Sequence, residues 1–509
     1  MNIATLLEMS AEGFGDRTAY GRSGGGVSFR HLLELSEAAA HRFRAGSVEH
    51  VALVDENSAA VPVTLFGSAL AGIAYAPINY RLAEDAIAAL LERLGRTVLV
   101  AGAGHHHLAT GGGTVIAAEE LLATPDGFNQ PIISPGGPDD VAIRLFTSGT
   151  TGAPKAAVLR HRNLSSYVLG TVEFGGAGET EAALVSVPPY HVAGVASVLS
   201  AVYAGRRVVQ LPKFTAEDWI STVIDEQITH AMVVPTMLTR IVDLLTHRGV
   251  ALPSLRHLSY GGGRMPVPVI EQAMRLLPDV SFVNAYGLTE TSSTVALLGP
   301  DDHREAFASE DRRIRRRLGS VGRPIAGIEI EIRDLAGKCV EPEVSGEVWL
   351  RGAQVAGEYS GVDARTANDG WFPTNDGGYL DSQGYLFLEG RLDDVIVRGG
   401  ENMSPGEIED VLLQHDAIGD AAVIGAPDAE WGEKVVAFVI SNSTTLHAGD
   451  VREWVRDRLR SSRTPHDVHF VDELPYSDTG KLLRRELRRR LSESSSPMPA
   501  GRTTPVPQS

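Results

Sequence analysis
The chain has 509 residues, too many for one ordinary hydrophobic core, so it is organised as two or more domains. Hydrophobic residues make up 43% and charged residues 22%, a balance that excludes a largely disordered chain. Its 46 basic and 64 acidic residues leave a net charge of −18. That excess repels phosphate backbones and anionic lipid, so nucleic acid is not an expected partner, and an anionic ligand must be met by local backbone N–H groups and a few cations.

The single cysteine, Cys339, rules out an intrachain disulfide and suits a reducing cytoplasm. The N-terminal MNIATLLEMSAEGFGDR lacks the features of a signal peptide. The apolar stretch 61–78 is interrupted by Pro62, Ser68 and Pro77 and reads as a buried helix feeding a strand, so no integral membrane association is expected.

From about residue 141, short β-branched runs alternate with amphipathic segments, the pattern of a mostly parallel sheet covered by helices. The runs 141–146, 183–187, 207–211, 230–234, 256–260 and 281–285 read as strands. Helices follow from Val192, Ala216, Pro235 and Pro266. Ligand loops belong at the carboxyl ends of such strands. After about Gly319 the texture changes to alternating strands, 328–332 and 347–350, suited to a small antiparallel sheet or barrel. A smaller α+β unit then begins, with a strand at 395–397, a helix at 405–414, strands near Ala421 and Val435, and helices from Val451 and Leu482. The expected class is α/β: a large N-terminal domain (1–391) of stacked, mostly parallel sheets with helices and a small barrel-like part, a hinge (392–394), a small mobile α+β domain (395–490) and a disordered tail (491–509).

One loop carries phosphate chemistry. Thr147, Ser148, Gly149, Thr150, Thr151 and Gly152 precede Lys155 directly after a strand. The glycines permit close backbone approach, the hydroxyls donate hydrogen bonds and the lysine adds charge. It is not a Walker A loop, whose glycine spacing and Lys-Ser/Thr step it lacks.

This run resembles the phosphate-loop signature of the acyl-adenylate-forming superfamily, acyl-CoA synthetase branch. Further segments match that family's motifs in order: Pro188-Pro-Tyr-His191, Tyr260-Gly-Gly-Gly263, Tyr286-Gly-Leu-Thr-Glu290, Thr374-Asn-Asp376, Gly390-Arg-Leu-Asp-Asp394, Gly399-Gly-Glu-Asn402 and Gly480-Lys481. The resemblance implies that Tyr286 stacks on adenine against a wall of Gly261, Gly262 and Gly263. Asn284, Ala285 and Gly287 would line the same nucleotide, and Thr289 would bond the α-phosphate. Glu290, with Thr147, would hold Mg²⁺, a hard ion suited to carboxylate and hydroxyl oxygen. Asp376 would accept the ribose hydroxyls with Arg391 nearby, although Asn375-Asp-Gly377 is also a turn-former. Asn375 stands where the usual family triplet has glycine.

Lys481 resembles the cation that bridges the attacking carboxylate and the α-phosphate; outside this motif set, a Gly-Lys pair reads as a solvated helix start. Asp393 resembles the hinge about which the small domain turns. His191 would stand at the mouth of an acyl pocket lined by Val192, Gly194, Val195, Pro235 and Thr236, or it is a satisfied loop histidine. Amino-acid-activating relatives carry Phe-Asp here, and this chain has no aspartate at that place. The expected substrate is therefore a fatty, alicyclic or aryl acid without an α-amino group. Gly399, Gly400, Glu401 and Asn402 resemble the pantetheine-tunnel segment, making CoA the expected thiol. The expected activity is an AMP-forming acid–thiol ligase using ATP, Mg²⁺ and CoA, as a monomer or homodimer. A free-standing carrier protein as acceptor and a non-catalytic nucleotide binder stay open as alternatives. His105, His106 and His107 read as an exposed loop, 312–317 as a solvated arginine face or a site for a CoA phosphate, and Trp431-Gly-Glu433 as a packing turn.

Overall fold
The structure is a computed structural model and describes residues 1–108, 113–123, 136–147, 155–361, 366–367, 369–477 and 480–494. Its contacts divide the chain into two units, one of Met1–Leu388 together with Gly480, the other of Glu389–Ser477 and the chain from Lys481 onward.

The larger unit holds two parallel-rich sheets. The nine-stranded sheet runs, from one edge, Arg323–Pro324, Ser293–Leu298, Ser281–Leu288, His257–Gly261, His230–Val233, Ala182–Val185, Arg207–Gln210, Thr18–Tyr20 and Val27–Ser28. The seven-stranded sheet runs Glu358–Tyr359, Lys155–Arg160, Val141–Thr147, Ala74–Pro77, His50–Val54, Thr97–Ala101 and Val115–Ala117. Between these sheets, helices Ala4–Phe14, Phe29–Arg44, Ala60–Ala71 and Val192–Ala204 share one core with strand residues Val51, Val100 and Ile143. A second core packs Trp219, Leu238, Ile241 and Ile270 against Tyr260 and Phe282. The barrel-like part takes the form of a four-stranded antiparallel sheet in the order Ile328–Arg333, Gly346–Gly352, Phe372–Leu380 and Leu386–Arg391.

Local chemistry accounts for these elements. The stretch 61–78 forms helix Ala60–Ala71, every residue of it buried, and strand Ala74–Pro77. Thr64 and Ser68 survive in that apolar setting because their hydroxyls donate to Ala60 O and Thr64 O, each at 2.6 Å. A Cβ on Gly67 would lie 2.9 Å from Ala39 Cβ, so glycine is what lets this helix approach Phe29–Arg44 closely. Helix Ala216–Asp225 starts where Thr215 Oγ1 accepts from Asp218 N at 3.0 Å.

The smaller unit is a five-stranded sheet in which Gly432–Ser441 pairs with Ile418–Asp428, Ile396–Arg398 and Asp467–Phe470, and Glu401–Met403 forms an edge. Helices Pro405–Leu412, Ala448–Arg456 and Arg484–Ser494 accompany it. The last helix begins at Arg484 rather than Leu482 and continues to Ser494, so residues 491–494 belong to it and not to a tail. Glu486, Arg489 and Glu493 carry it onward through i,i+3 and i,i+4 ion pairs. Among the described residues no helix is long and apolar enough to cross a membrane.

Two buried histidines and a half-buried one tie this packing to pH. Burial lowers His161 and His303 to about 4. Burial, with Arg206, His257 and Arg256 adding repulsion, lowers His230 to about 3. Because the folded values lie below the ordinary value of 6.5, the unfolded chain binds protons that the folded chain refuses as pH falls. The stabilisation is therefore complete above pH 6.5 and is lost on acidification, at about 1.4 kcal/mol per pH unit for each histidine. Urea midpoints should fall between pH 7 and pH 5, above the range in which most carboxylates titrate; an unchanged midpoint would contradict this.

Candidate active site
Four hydrogen-bonded neighbours of the nine-stranded sheet, Ala182–Val185, His230–Val233, His257–Gly261 and Ser281–Leu288, run parallel. Their carboxyl ends lead into Pro188–His191, Pro235–Thr236, Gly261–Gly263 and Tyr286–Glu290. The topology thus gathers motifs spread over about a hundred residues onto one edge of one sheet, where ligands bind in such sheets.

The glycines there are required by backbone approach. A Cβ on Gly261 would lie 2.2 Å from Ala285 O, its ladder partner, and one on Gly287 would lie 1.9 Å from Ser293 O. Gly262 adopts φ +81°. The result is a surface without side chains, suited to a flat base. Behind it Tyr260 donates to His303 Nε2 at 2.8 Å, and His303 Nδ1 donates to Gly299 O at 2.8 Å. Asn284 commits its amide to Ser320 O at 2.9 Å, bracing the strand.

Tyr286 and Asp376, 90 residues apart, meet in a buried hydrogen bond, with the phenol donating to Oδ2 at 2.6 Å. Asp376 lies within strand Phe372–Leu380, so Asn375-Asp-Gly377 is a kink in a strand and not a connecting turn. Asn375 has φ +62°, its N–H donating to Glu347 Oε1 at 3.0 Å. Thr374 Oγ1 accepts from Asp376 N at 3.0 Å and donates to Val348 O at 2.7 Å. Asparagine tolerates the left-handed region better than other side chains, which is how this chain keeps the kink without glycine.

Glu290 is 9% exposed on a 3-10 turn, Thr289–Thr291. Tyr359 donates its hydroxyl to Glu290 Oε1, and Lys155 Nζ lies 6.0 Å from the Tyr359 ring centroid. Thr147 and Lys155 are cross-strand partners; Ser148, Gly149, Thr150, Thr151 and Gly152 lie outside the described residues. Gln354 locks the turn from behind, donating to Thr291 O and Thr294 O at 3.1 and 2.7 Å. Among the described residues no three or more His, Cys, Asp or Glu side chains form a metal-binding group. One buried carboxylate with hydroxyls nearby fits Mg²⁺, which binds largely through substrate phosphates and water.

At the predicted acyl end, His191 immediately precedes helix Val192–Ala204, its ring 4.6 Å from that of Tyr190. Tyr190 meets Tyr80 edge-on at 5.8 Å. A Cβ on Gly194 would lie 2.7 Å from Pro188 O, so the helix turns tightly over the motif. Val195 packs into the core, whereas Val192 and Thr236 are half-buried and Pro235 is buried at the first turn of its helix.

The remaining predicted residues belong to the second unit. Arg391 ends strand Leu386–Arg391, and Asp393 is exposed in the turn Leu392–Asp394. Gly399 and Gly400, at φ +57° and +82°, turn a hairpin, which Trp431 supports by accepting Gly399 N–H at 2.8 Å. Glu401 engages Arg463 at 2.6 Å, which holds its carboxyl below the usual range. Lys481 is exposed, its backbone bonded in both directions to Ser477.

Elsewhere, His106 and His107 diverge towards Glu119 and Glu84 on a mostly exposed loop. Arg315, Arg316 and Arg317 are committed to Glu271, Glu343 and Glu305. Tyr359, Gln354, Glu347 and His303 were not singled out by motif reading; each acts on a partner at least 28 residues away except His303 on Gly299, so no local spacing announces them.

The fold and this strand-end edge define an adenylating enzyme. The family described as AMP-binding enzyme matches residues 7–360, and its C-terminal domain matches residues 407–481. The chain belongs to this family, within the acyl-CoA synthetase branch of the acyl-adenylate-forming superfamily, and is an AMP-forming acid–thiol ligase. It is 32% identical to a feruloyl-CoA synthase of an Amycolatopsis species over 93% of this chain and 96% of the relative. It is also 32% identical to a fatty acid–[acyl-carrier-protein] ligase of Streptomyces coeruleorubidus, over 91% of each. The o-succinylbenzoate CoA synthetase of Bacillus subtilis, solved with its acyl-adenylate intermediate, superposes with a TM-score of 0.81 at 27% identity, covering 95% of this chain and 97% of that one.

The kink at Asn375 makes a sharp prediction. Asn375→Gly should leave stability and the KM for ATP nearly unchanged. Asn375→Val should cost about 1–2 kcal/mol and raise the KM for ATP, read by denaturant melts and pyrophosphate release.

Proposed function
We propose that this enzyme is a cytoplasmic ATP-dependent carboxylic acid–CoA ligase acting on a fatty, alicyclic or aryl acid that lacks an α-amino group. The observation that carries the reading is the Tyr286–Asp376 contact at 2.6 Å, which joins an adenine-stacking ring to a ribose-binding carboxylate beside the bare Gly261–Gly263 surface. Gly261–Gly263, Asn284, Ala285, Tyr286 and Gly287 hold the nucleoside, with Asp376 and Arg391 on the ribose. Residues 147–152 and Lys155 bind phosphates, and Thr289 bonds the α-phosphate. Glu290 and Thr147 would hold Mg²⁺, which supplies positive charge against the phosphates.

The acid's carboxylate oxygen attacks the α-phosphorus, the bond to the bridging oxygen breaks, and pyrophosphate leaves. Two anions must approach for this to happen, so Lys481 bridges them and stabilises the charge of the transition state. The small domain, residues 395–490, then turns about Asp393 in the 392–394 hinge. The Gly399–Asn402 hairpin now guides the thiol; its sulfur gives up its proton to water and attacks the acyl carbon, the carbon–oxygen bond breaks and AMP departs. His191, Val192, Gly194, Val195, Pro235 and Thr236 shape the acyl end, where the sequence offers no aspartate to pair with an ammonium. One cysteine in 509 residues accords with a reducing compartment.

A second reading, transfer to the phosphopantetheine of a free-standing carrier protein, is favoured by the Streptomyces coeruleorubidus relative. Thioester formation measured side by side with CoA and with a purified carrier decides the acceptor. Pyrophosphate release across alkyl, aromatic, alicyclic and amino acids decides the acid; preference for an amino acid would reject the assignment. Lys481→Ala should abolish ATP–pyrophosphate exchange yet largely spare thioester formation from supplied acyl-adenylate, and equal loss of both would reject the lysine's role.

A further inference from the structure
The small unit contains a charge cluster that none of these roles uses. Arg484 follows Lys481 by three residues and opens helix Arg484–Ser494. Its Nη2 donates to both oxygens of Glu409, at 2.6 and 2.7 Å, and its Nε donates to Val423 O at 3.2 Å. Its Nη1 lies 3.8 Å from Asp394 Oδ2, while Asp394 Oδ1 accepts from Arg488 at 3.1 Å. Glu409, on helix Pro405–Leu412, also accepts from Val423 N at 2.8 Å. The side chains of Arg484, Glu409 and Asp394 are 17%, 10% and 20% exposed. At such burial, removing one partner leaves an uncompensated charge, so the set holds together or fails together.

Both ends of the cluster reach elements that matter for turnover. Asp394 closes the turn Leu392–Asp394. At the other end, described residues on either side of 478–479 bond to one another: Ser477 N donates to Lys481 O at 2.8 Å, Lys481 N donates to Ser477 Oγ at 3.0 Å, and Leu483 N donates to Pro475 O at 2.8 Å. Tyr476 anchors this loop through its hydroxyl on Asp420 Oδ2, at 2.9 Å. A lysine on a long flexible stem is useful in a two-anion transition state only if its backbone arrives in one place, because a misplacement of about 1 Å can cost about 10²-fold in rate.

We infer that Arg484 is a positioning residue, the keystone of an Asp394–Arg484–Glu409 cluster that makes the hinge turn and the Lys481 loop one rigid body. Rotation about the turn therefore delivers the lysine at a set distance. The Gly399–Gly400 hairpin follows the turn directly through strand Ile396–Arg398 and does not depend on Arg484. This inference rests on the roles proposed for Lys481 and Asp393.

Arg484→Lys keeps the charge but not the forked geometry, and Glu409→Gln removes the helix-side carboxylate charge, outside the hinge, if the first variant fails to fold. In the full-length enzyme, either should lower kcat for ATP–pyrophosphate exchange by about tenfold or more. The KM for ATP and thioester formation from supplied acyl-adenylate should stay within about threefold, and the double variant should be no worse than the poorer single one. A cluster that merely staples the fold would lower both half-reactions together; that result, or undiminished exchange, overturns the inference. If Lys481→Ala itself retains exchange, the underlying lysine assignment has failed instead.

Discussion
Adenylation forces like charges together. A carboxylate must reach the phosphorus of a polyphosphate on a protein that already carries a net charge of −18, so attraction has to be local and removable. The larger unit meets this constraint largely with neutral groups. Glycines expose backbone along the strand ends, and two tyrosine hydroxyls, those of Tyr286 and Tyr359, satisfy oxygens of the buried carboxylates of Asp376 and Glu290. A hydroxyl donor steadies a carboxylate without neutralising it, so the acid can still meet a ribose hydroxyl or a metal ion. Of the two proposed cations, Lys155 lies on the larger unit and Lys481 on the smaller, and charge needed at one step only, as proposed for Lys481, is suited to a group that can be brought and withdrawn.

The same economy shapes the supporting residues. Gln354 donates to two carbonyls behind the Thr289–Thr291 turn, His303 relays Tyr260 to Gly299, and Glu347 supports the backbone at Asn375. Each of these acts through hydrogen bonds within the protein that hold the backbone of the candidate site. Asn375 shows how a family pattern can change letter without changing shape: the position demands a left-handed backbone, and asparagine supplies it at low cost.

Much of this was legible in the amino-acid order. The β-branched runs at 183–187, 207–211, 230–234 and 256–260 became strands because parallel sheets bury both faces and ask for such residues, and Pro235 starts a helix as its fixed φ favours. Apart from the strand that ends the stretch 61–78, the parallel strands before residue 108 were not singled out, being short runs among alanine-rich helices where periodicity is weak. The end of the last helix was missed because past Leu491, which still packs on the core, its continuation is polar and carries no apolar stripe.

The sequence by itself determined the inventory of the candidate site: glycines where backbone must approach backbone, a tyrosine and acids proposed for a nucleoside and a metal, and a lone lysine beside the last helix. These follow from residue type and short-range order, which chemistry constrains directly. Only the tertiary structure decided the pairings, Tyr286 with Asp376 across 90 residues, Tyr359 with Glu290 across 69, and Arg484 with Glu409 across 75. Such contacts form where strands align and helices pack, and their sequence separation carries no periodic signal, so register and burial alone choose the partner.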